Sequence, residues 1–109
     1  MPSPPPGLPT ELAERVLDLV ATIPAGRVMT YGDVAAAVGS GPRAVGTVMS
    51  RYGGGVPWHR VVRADGRPAA GHEVEAGRLL RGEGIAFRGD RVDLASARWS
   101  PPGRRAGPD

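Results

Sequence analysis

The sequence predicts a mainly α-helical, winged-helix-like domain, in which two short helices form a helix-turn-helix and a small β-hairpin provides the wing. Apolar residues recur at helical spacing in several stretches, and glycine or proline separates one stretch from the next. Near the end, IAFRGDRVDL turns at Gly89-Asp90, where glycine in the first turn position suits a type II′ hairpin. With 109 residues, the chain has room for one domain.

The first helix is predicted to begin after Thr10, which suits an N-cap and is followed by Glu11 and Glu14 in the first turn. Four apolar residues then recur at helical spacing, namely Leu12, Val16, Val20 and Ile23. Pro24-Ala25-Gly26 ends this stretch, since proline and glycine stop helices. We interpret this helix as mainly scaffold.

Both ends of the chain are rich in proline. Five of the first nine residues are proline, and the end reads SPPGRRAGPD, so residues 1–9 and 100–109 are predicted to be disordered tails around a domain of residues 10–99. MPSPPPGLP has no basic region followed by an apolar run, and no segment approaches the roughly 18 apolar residues of a membrane span. We therefore expect a soluble protein of the cytoplasm with no membrane partner.

The second helix is predicted to start at Thr30, where Asp33 three residues later completes a variant of the capping box. Its apolar stripe is short and consists of Val34, Ala35 and Val38. Gly39-Ser40-Gly41 then breaks the helix, and the tight turn that these residues favour leads directly into another helical segment. Two short helices around such a turn indicate a helix-turn-helix.

The third helix, PRAVGTVMSRY, begins at Pro42, a residue that suits the first turn of a helix. The residues predicted to face the core are Val45, Val48 and Met49. The opposite face is unusual because its residues are small around one arginine, Arg43; they are Gly41, Pro42, Ala44 and Gly46. Readers of the major groove normally carry long polar side chains, so this face fits the minor groove or a lesion better. Alternatively, Gly46 permits close helix packing and Arg43 is merely solvated.

Downstream, Arg60-Val61-Val62-Arg63 predicts a short strand, closed by a turn at Ala64-Asp65-Gly66. Residues 67–72 are predicted to form a loop before a last helix at about residues 73–81, which ends at Gly82. The apolar residues of that helix are Val74, Ala76, Leu79 and Leu80.

Charge and composition limit the possible chemistry. The 14 basic residues are all arginine against 11 acids, giving a net charge of +3 that suits either a solubility surface or a polyanion partner. The absence of cysteine excludes disulfides, thiolate metal sites and a cysteine nucleophile. No carboxylate lies at ligand spacing to the two histidines, and Gly53-Gly54-Gly55 lacks the Lys-Ser/Thr of a phosphate loop. We expect neither metal nor cofactor.

The stretch VPWHRVV, residues 56–62, contains the groups with the clearest chemical potential. His59 is a candidate general base with Glu83 as a possible partner, and Trp58 offers a stacking surface. A structural histidine bound to a backbone group or a carboxylate is the alternative. The pair of residues alone does not decide between these.

Four blocks in order resemble one family: TYGDVAAAVG (30–39), PRAVGTVM (42–49), VPWHRVV with the following Gly66, and LLRGEG (79–84). Together they resemble the DNA-binding domain of the O6-alkylguanine-DNA alkyltransferases, in which the third block reads Pro-Cys-His-Arg-Val and the cysteine accepts the alkyl group. Trp58 stands at the cysteine position, as in the alkyltransferase-like proteins, which are non-catalytic homologues. Two departures are a short Tyr52–Gly55 connection, where the enzymes commonly have an asparagine, and a loop after Gly66 that is about two residues shorter.

The resemblance implies a non-enzymatic DNA damage sensor that binds O6-alkylguanine by flipping the base into a pocket. It implies that Arg43 enters the base stack in place of the flipped nucleotide, while Tyr31 presses on the adjacent phosphate. The other residues of this implied interface are Gly41, Pro42, Ala44, Gly46, Thr47 and Arg51. The implied pocket consists of Met49, Pro57, Trp58, Arg67, Pro68, Ala69 and Ala70. Within it, Arg67 is our candidate for contact with the modified base.

By the same resemblance, His59 and Glu83 are structural remnants of the relay that ionises the cysteine in the enzymes. The implied partners are duplex DNA with alkylated guanine and nucleotide excision repair proteins, and the implied location is the nucleoid. We expect a monomer by default. A helix-turn-helix transcriptional regulator without lesion specificity is the alternative function.

Overall fold

The computed structural model describes residues 10–102, so most of the two predicted tails, residues 1–9 and 103–109, lies outside the described residues. The helices are α1 (Glu11–Ala21), α2 (Tyr31–Val38), α3 (Pro42–Tyr52), α4 (Glu73–Gly82) and α5 (Leu94–Ala97). The strands are β1 (Met29–Thr30), β2 (Val61–Val62), β3 (Phe87–Arg88) and β4 (Arg91–Val92). Single 3-10 turns occupy Gly53–Gly55 and Trp58–Arg60. The predicted mainly α-helical fold with a small hairpin is confirmed.

Local capping explains where the first two helices begin. The Thr10 hydroxyl accepts a hydrogen bond from the Ala13 N–H at 3.1 Å, as an N-cap does. At α2, the Thr30 side chain accepts from the Asp33 N–H at 3.0 Å, and the Asp33 carboxylate accepts from the Thr30 N–H at 3.2 Å. This reciprocal pair confirms the predicted capping box and fixes the first residue of α2, Tyr31.

The helix-turn-helix has the predicted bounds. Helix α2 ends at Val38 and is capped by Gly39, whose φ of +74° is the left-handed conformation that glycine adopts without strain. Helix α3 begins at Pro42 and buries the three residues predicted to face the core, Val45, Val48 and Met49. Among these elements, none of the helices in residues 10–102 is long and apolar enough to cross a membrane.

Two apolar cores hold the domain together. The larger one lies between α1, α2 and α3 and includes Val16, Val20 and Val34. The smaller one lies beneath the wing and consists of Val28, Val62, Leu80, Ile85, Val92 and Ala97. Strands β1 and β2 pair in parallel, Met29 with Val61 and Thr30 with Val62, and join the two cores.

The wing is the antiparallel pair of β3 and β4, with Phe87 opposite Val92. Gly89 has a φ of +63° and Asp90 does not have a positive φ, which agrees with the predicted type II′ turn. Gly66 connects the wing to the turn after β2, because its carbonyl accepts from the Val92 N–H at 2.9 Å. A Cβ at Gly66 would lie 2.7 Å from the Val92 carbonyl oxygen, so this contact requires glycine.

Three details differ from the prediction. Helix α4 is not the last helix, because the single turn α5 follows the wing; four residues are too few to show a helical period. Strand β1 was not predicted, since two residues carry no strand alternation. Val74, which we counted among the apolar residues of the helix now labelled α4, is 88% exposed, because that helix buries Ala76, Gly77 and Leu80 instead.

The C-terminal part of the domain braces the start of the helix-turn-helix. Arg98 donates two hydrogen bonds to the Asp33 carboxylate, at 2.6 and 2.9 Å, and the Trp99 N–H donates to the Val28 carbonyl at 2.9 Å. The hydrogen bond from Arg98 lowers the pKa of Asp33 and keeps the capping carboxylate ionised. The position of Tyr31 therefore depends on a segment some 65 residues away in sequence.

Candidate functional site

An open cavity of about 830 Å³ lies between the helix-turn-helix and the loop that precedes α4. This volume is typical of ligand sites, which span roughly 300–1,000 Å³. From the predicted interface it is lined by Tyr31, Pro42, Arg43 and Gly46, and from the predicted pocket by Met49, Trp58, Ala69 and Ala70. The two predicted groups thus meet at one cavity, although they come from separate parts of the sequence.

The other predicted residues lie outside this cavity. Gly41, Ala44, Thr47 and Arg51 belong to α3 and its N-cap, and Pro57 precedes the second 3-10 turn. Pro68 lines a separate groove beside the wing, together with Arg67.

Arg67 is directed to the wing and away from the main cavity. Its guanidinium contacts the Asp65 carboxylate at 2.8 Å and the Asp90 carboxylate at 3.4 Å. Arg67 does not line the main cavity in this structure, and its role as the contact to a modified base stays a prediction. Asp65 is a local partner two residues away, whereas Asp90 lies at the wing turn, 23 residues away, so that pairing could not be read from spacing.

Four polar residues that we did not predict also line the cavity: Ser50, Arg63, His72 and Glu75. The Arg63 side chain donates to the Pro68 carbonyl at 2.9 Å and to the Glu73 carboxylate at 3.1 Å, which holds the loop over the cavity. The sequence contained one indication that two of these residues lie together. His72 and Glu75 are three residues apart at the start of a helix, so they share a face.

Trp58 forms the wall at one end of the cavity. Its half-buried indole makes edge contacts with two imidazoles, His59 at 6.1 Å and His72 at 5.5 Å between ring centroids. Gly53 gives the indole room, because a Cβ there would lie 3.3 Å from Met49 Cε and 3.6 Å from Trp58 Cβ. The glycine-rich connection after α3 therefore lets the tryptophan pack against the end of that helix.

Behind this wall, the Glu83 carboxylate binds three partners. It contacts His59 Nε2 at 2.8 Å, accepts from the Arg60 guanidinium at 2.7 and 3.1 Å, and accepts from the Gly26 N–H at 3.1 Å. Arg60 also donates to the Ile23 carbonyl at 2.9 Å. The predicted partnership of His59 and Glu83 exists, as one part of a larger network.

This network determines the ionisation of Glu83. Partial burial alone would raise the pKa of its carboxyl group, but the hydrogen bonds from Arg60, His59 and Gly26 outweigh it and lower the pKa to about 2. Glu83 is therefore an anion throughout the physiological range. An ionised carboxylate satisfied on both oxygens is a structural anchor, which favours the structural interpretation of His59 as well.

The exposed face of α3 is open and positively charged. Arg43 is exposed, and its guanidinium has no hydrogen-bond or ion-pair partner within residues 10–102. A Cβ at Gly46 would meet no atom within 4 Å, so the alternative that Gly46 permits close helix packing inside this chain is wrong. A glycine in mid-helix lowers stability by roughly 0.5–1 kcal/mol relative to alanine. The free space it leaves suits close approach by another molecule.

Tyr31 occupies the opposite rim, at the first position of α2. Burial raises the pKa of its phenol, and the positive charge of Arg63 acts in the other direction. The hydroxyl is therefore neutral near pH 7 and available as a donor.

In the described part of the chain, no group of three histidines or acids could hold a metal ion.

Comparison with known proteins identifies related sequences and structures. The family described as 6-O-methylguanine DNA methyltransferase, DNA binding domain, matches residues 11–85. The methylated-DNA–protein-cysteine methyltransferase of Methanothermobacter thermautotrophicus is 41% identical over 85 residues, which cover 73% of this chain but 48% of that enzyme. The chain thus spans about half of the enzyme's length.

Two further proteins match over more of their own length. The DNA base-flipping protein of Escherichia coli is 43% identical over 95 residues, covering 80% of this chain and 73% of that protein. A crystal structure of Schizosaccharomyces pombe Atl1 in complex with damaged DNA containing O6-carboxymethylguanine matches with a TM-score of 0.71 and 31% identity. The match covers 84% of this chain and 96% of that one.

The Glu83 network leads to a pH-dependent stability prediction. Glu83→Gln should lower the free energy of unfolding near neutral pH by on the order of 2 kcal/mol, because the ionised carboxylate is bound in the folded state. A lowered folded-state pKa stabilises above the ordinary value of 4.5, and this stabilisation is lost as pH falls through about 2. Urea unfolding of wild type and variant should therefore converge across that window.

The matched control is Glu14→Gln, which changes the same charge at an exposed position of α1. Its effect should be small and nearly independent of pH. A constant difference between wild type and Glu83→Gln from neutral pH down to pH 2 would contradict the prediction.

Proposed function

The chain belongs to the family of the 6-O-methylguanine DNA methyltransferase DNA-binding domain, and from this premise we propose that it binds duplex DNA containing O6-alkylguanine without removing the alkyl group. One observation carries the proposal. The cavity has Trp58 in its wall, at the position that the resemblance assigns to the acceptor cysteine, and the chain contains no cysteine. An indole can contact an alkyl group but has no thiolate to accept it.

Helix α3 is the proposed contact with the minor groove. Its exposed side offers Arg43 with an unengaged guanidinium beside the open space at Gly46. Small side chains allow close approach of the DNA backbone, and a cation fits the negative potential of the groove. In the proposed complex Arg43 takes the place of the flipped nucleotide in the base stack, and the neutral Tyr31 hydroxyl donates to the neighbouring phosphate.

The lesion lowers the free energy needed for base flipping, because it weakens the duplex. Extruding a base requires on the order of a few kcal/mol, and less when pairing is already impaired, as alkylation at the pairing edge of guanine impairs it. Contact with the Trp58 indole offsets part of this, since base–aromatic stacking contributes about 1–3 kcal/mol. Lesion preference therefore arises both from the DNA and from the cavity.

Two of the relatives support this proposal. The E. coli protein is named for base flipping, and the S. pombe structure contains damaged DNA with O6-carboxymethylguanine. We propose that this chain likewise recognises damaged DNA. We also propose that it does so as a monomer, in the cytoplasm and associated with the nucleoid. We further propose that the bound lesion is then passed to nucleotide excision repair proteins, because a protein that cannot remove the alkyl group needs another to do so.

The direct test uses matched duplexes with and without one O6-methylguanine. The protein should bind the modified duplex more tightly, and mass spectrometry of both components should find neither a released base nor an alkylated protein. Equal affinity for the two duplexes would contradict lesion recognition. Base release would indicate a glycosylase, and a preference for one unmodified sequence would indicate a transcriptional regulator.

The proposed role of Arg43 predicts a specific loss. Arg43→Ala should weaken binding to the modified duplex by roughly 10-fold to 100-fold, because nothing else fills the vacated stack. Fluorescence anisotropy with a labelled duplex measures this. Arg15→Ala removes the same charge from an exposed position of α1 and should change affinity by no more than about twofold. Similar losses in both variants would mean that Arg43 contributes only bulk charge.

The open space at Gly46 predicts opposite effects on stability and binding. Gly46→Ala should raise the free energy of unfolding by roughly 0.5–1 kcal/mol, because alanine favours the helix and meets no atom. Gly46→Gln should weaken binding to modified DNA by about tenfold, because its side chain occupies the space needed by the DNA. Ala21→Gln at the exposed end of α1 is the control. Unchanged affinity in Gly46→Gln would place the DNA elsewhere.

A further inference from the structure

We propose that His72 reads the alkyl group of the lesion, forming with Arg63 and Glu75 a polar subsite that favours adducts with a hydrogen-bond-accepting head, such as carboxymethyl, over methyl. This inference rests on the proposed function, which brings the adduct to Trp58. It assigns a selective role to a part of the cavity wall that the sequence did not single out.

Two histidines, His59 and His72, contact the Trp58 indole. The Nε2 atom of His59 is engaged by Glu83 at 2.8 Å, so His59 is committed to the structural network. His72 makes the closer ring contact with the indole, at 5.5 Å, and lines the cavity. Neither of its ring nitrogens has a hydrogen-bond partner within the described residues, and its side chain does not cap α4. A ring donor is therefore available beside the proposed alkyl position.

The backbone of His72 is fixed even though its side chain is free. Its N–H donates to the Ala69 carbonyl at 3.0 Å, and its carbonyl accepts from the Ala76 N–H at 2.9 Å. The imidazole is thus presented from a rigid helix start next to a wall residue. With the backbone held, ordering on binding is confined to the imidazole itself, whose edge contact with Trp58 already places it beside the cavity.

Charge sets the preference of this subsite. Arg63 uses its Nε and one Nη2 hydrogen for Pro68 and Glu73, so other guanidinium N–H groups remain for a ligand. Glu75 lines the same space and opposes an anionic head. The donors of His72 and Arg63 together favour an adduct that carries a hydrogen-bond acceptor. The negative charge of Glu75 reduces this preference, so its size depends on Glu75.

The test measures affinities for three duplexes that are identical apart from one base: guanine, O6-methylguanine and O6-carboxymethylguanine. The readout is the ratio of the carboxymethyl affinity to the methyl affinity. His72→Phe keeps a ring against Trp58 but removes the donor, and it should lower this ratio by about fivefold to tenfold. Glu75→Gln should raise the ratio by about twofold to fivefold, because it removes the like charge.

The same binding measurements include a control variant. Glu14→Gln, remote on α1, should leave the ratio unchanged, and thermal unfolding of each variant should show an intact fold. If wild type prefers the methyl duplex over guanine but His72→Phe leaves the ratio unchanged, the subsite is overturned and the proposed function stands. If wild type does not prefer either modified duplex over guanine, the proposed function fails and the subsite fails with it. A lower ratio in Glu75→Gln would also overturn the charge argument.

Discussion

The arrangement of the cavity depends on the Glu83 carboxylate. This one group joins the segment after α1, through Gly26, to the 3-10 turn of His59 and Arg60 and to its own position at the end of α4. Trp58 is the first residue of that 3-10 turn, so the indole is held from behind by an ion pair whose residues do not line the cavity. Breaking such a pair leaves a charge without its partner, which is why the network is expected to persist in a protein without a thiol.

The helix-turn-helix side of the cavity is held in a comparable way from a distance. Arg98 binds Asp33, Asp33 caps α2, and α2 begins with Tyr31 at the rim of the cavity. Strands β1 and β2 join the core under α1–α3 to the core under the wing. The two apolar cores on either side of the cavity are therefore joined by a few polar contacts and one short parallel pair. Such an arrangement keeps the site preformed, which lowers the cost of ordering on binding.

The sequence predicted the elements whose signals are local, and it missed those that depend on tertiary contacts. Caps and apolar spacing identified α1 to α4, and Gly89 identified the wing, because each signal lies within the element itself. The two-residue strand β1 and the single turn α5 are too short to carry a period. Tyr31, Arg43 and Trp58, which the order of the motifs grouped into one site, line one cavity. In the loop after Gly66, the contact of Arg67 with Asp65 is local, but its contact with Asp90 at the wing is tertiary, and sequence spacing does not indicate it.

Replacing a nucleophile with an indole changes what the rest of the site must accomplish. A transferase is committed once the alkyl group moves, so a brief encounter is enough. Under the proposed function no bond forms, and the lifetime of the complex is set by dissociation alone. Recognition then has to come from contacts that hold the flipped base in place, namely the arginine in the stack, the indole wall and a ring donor at His72. Free space at Gly46, which a stability-optimised helix would not leave, is consistent with a site built for residence on DNA more than for its own stability.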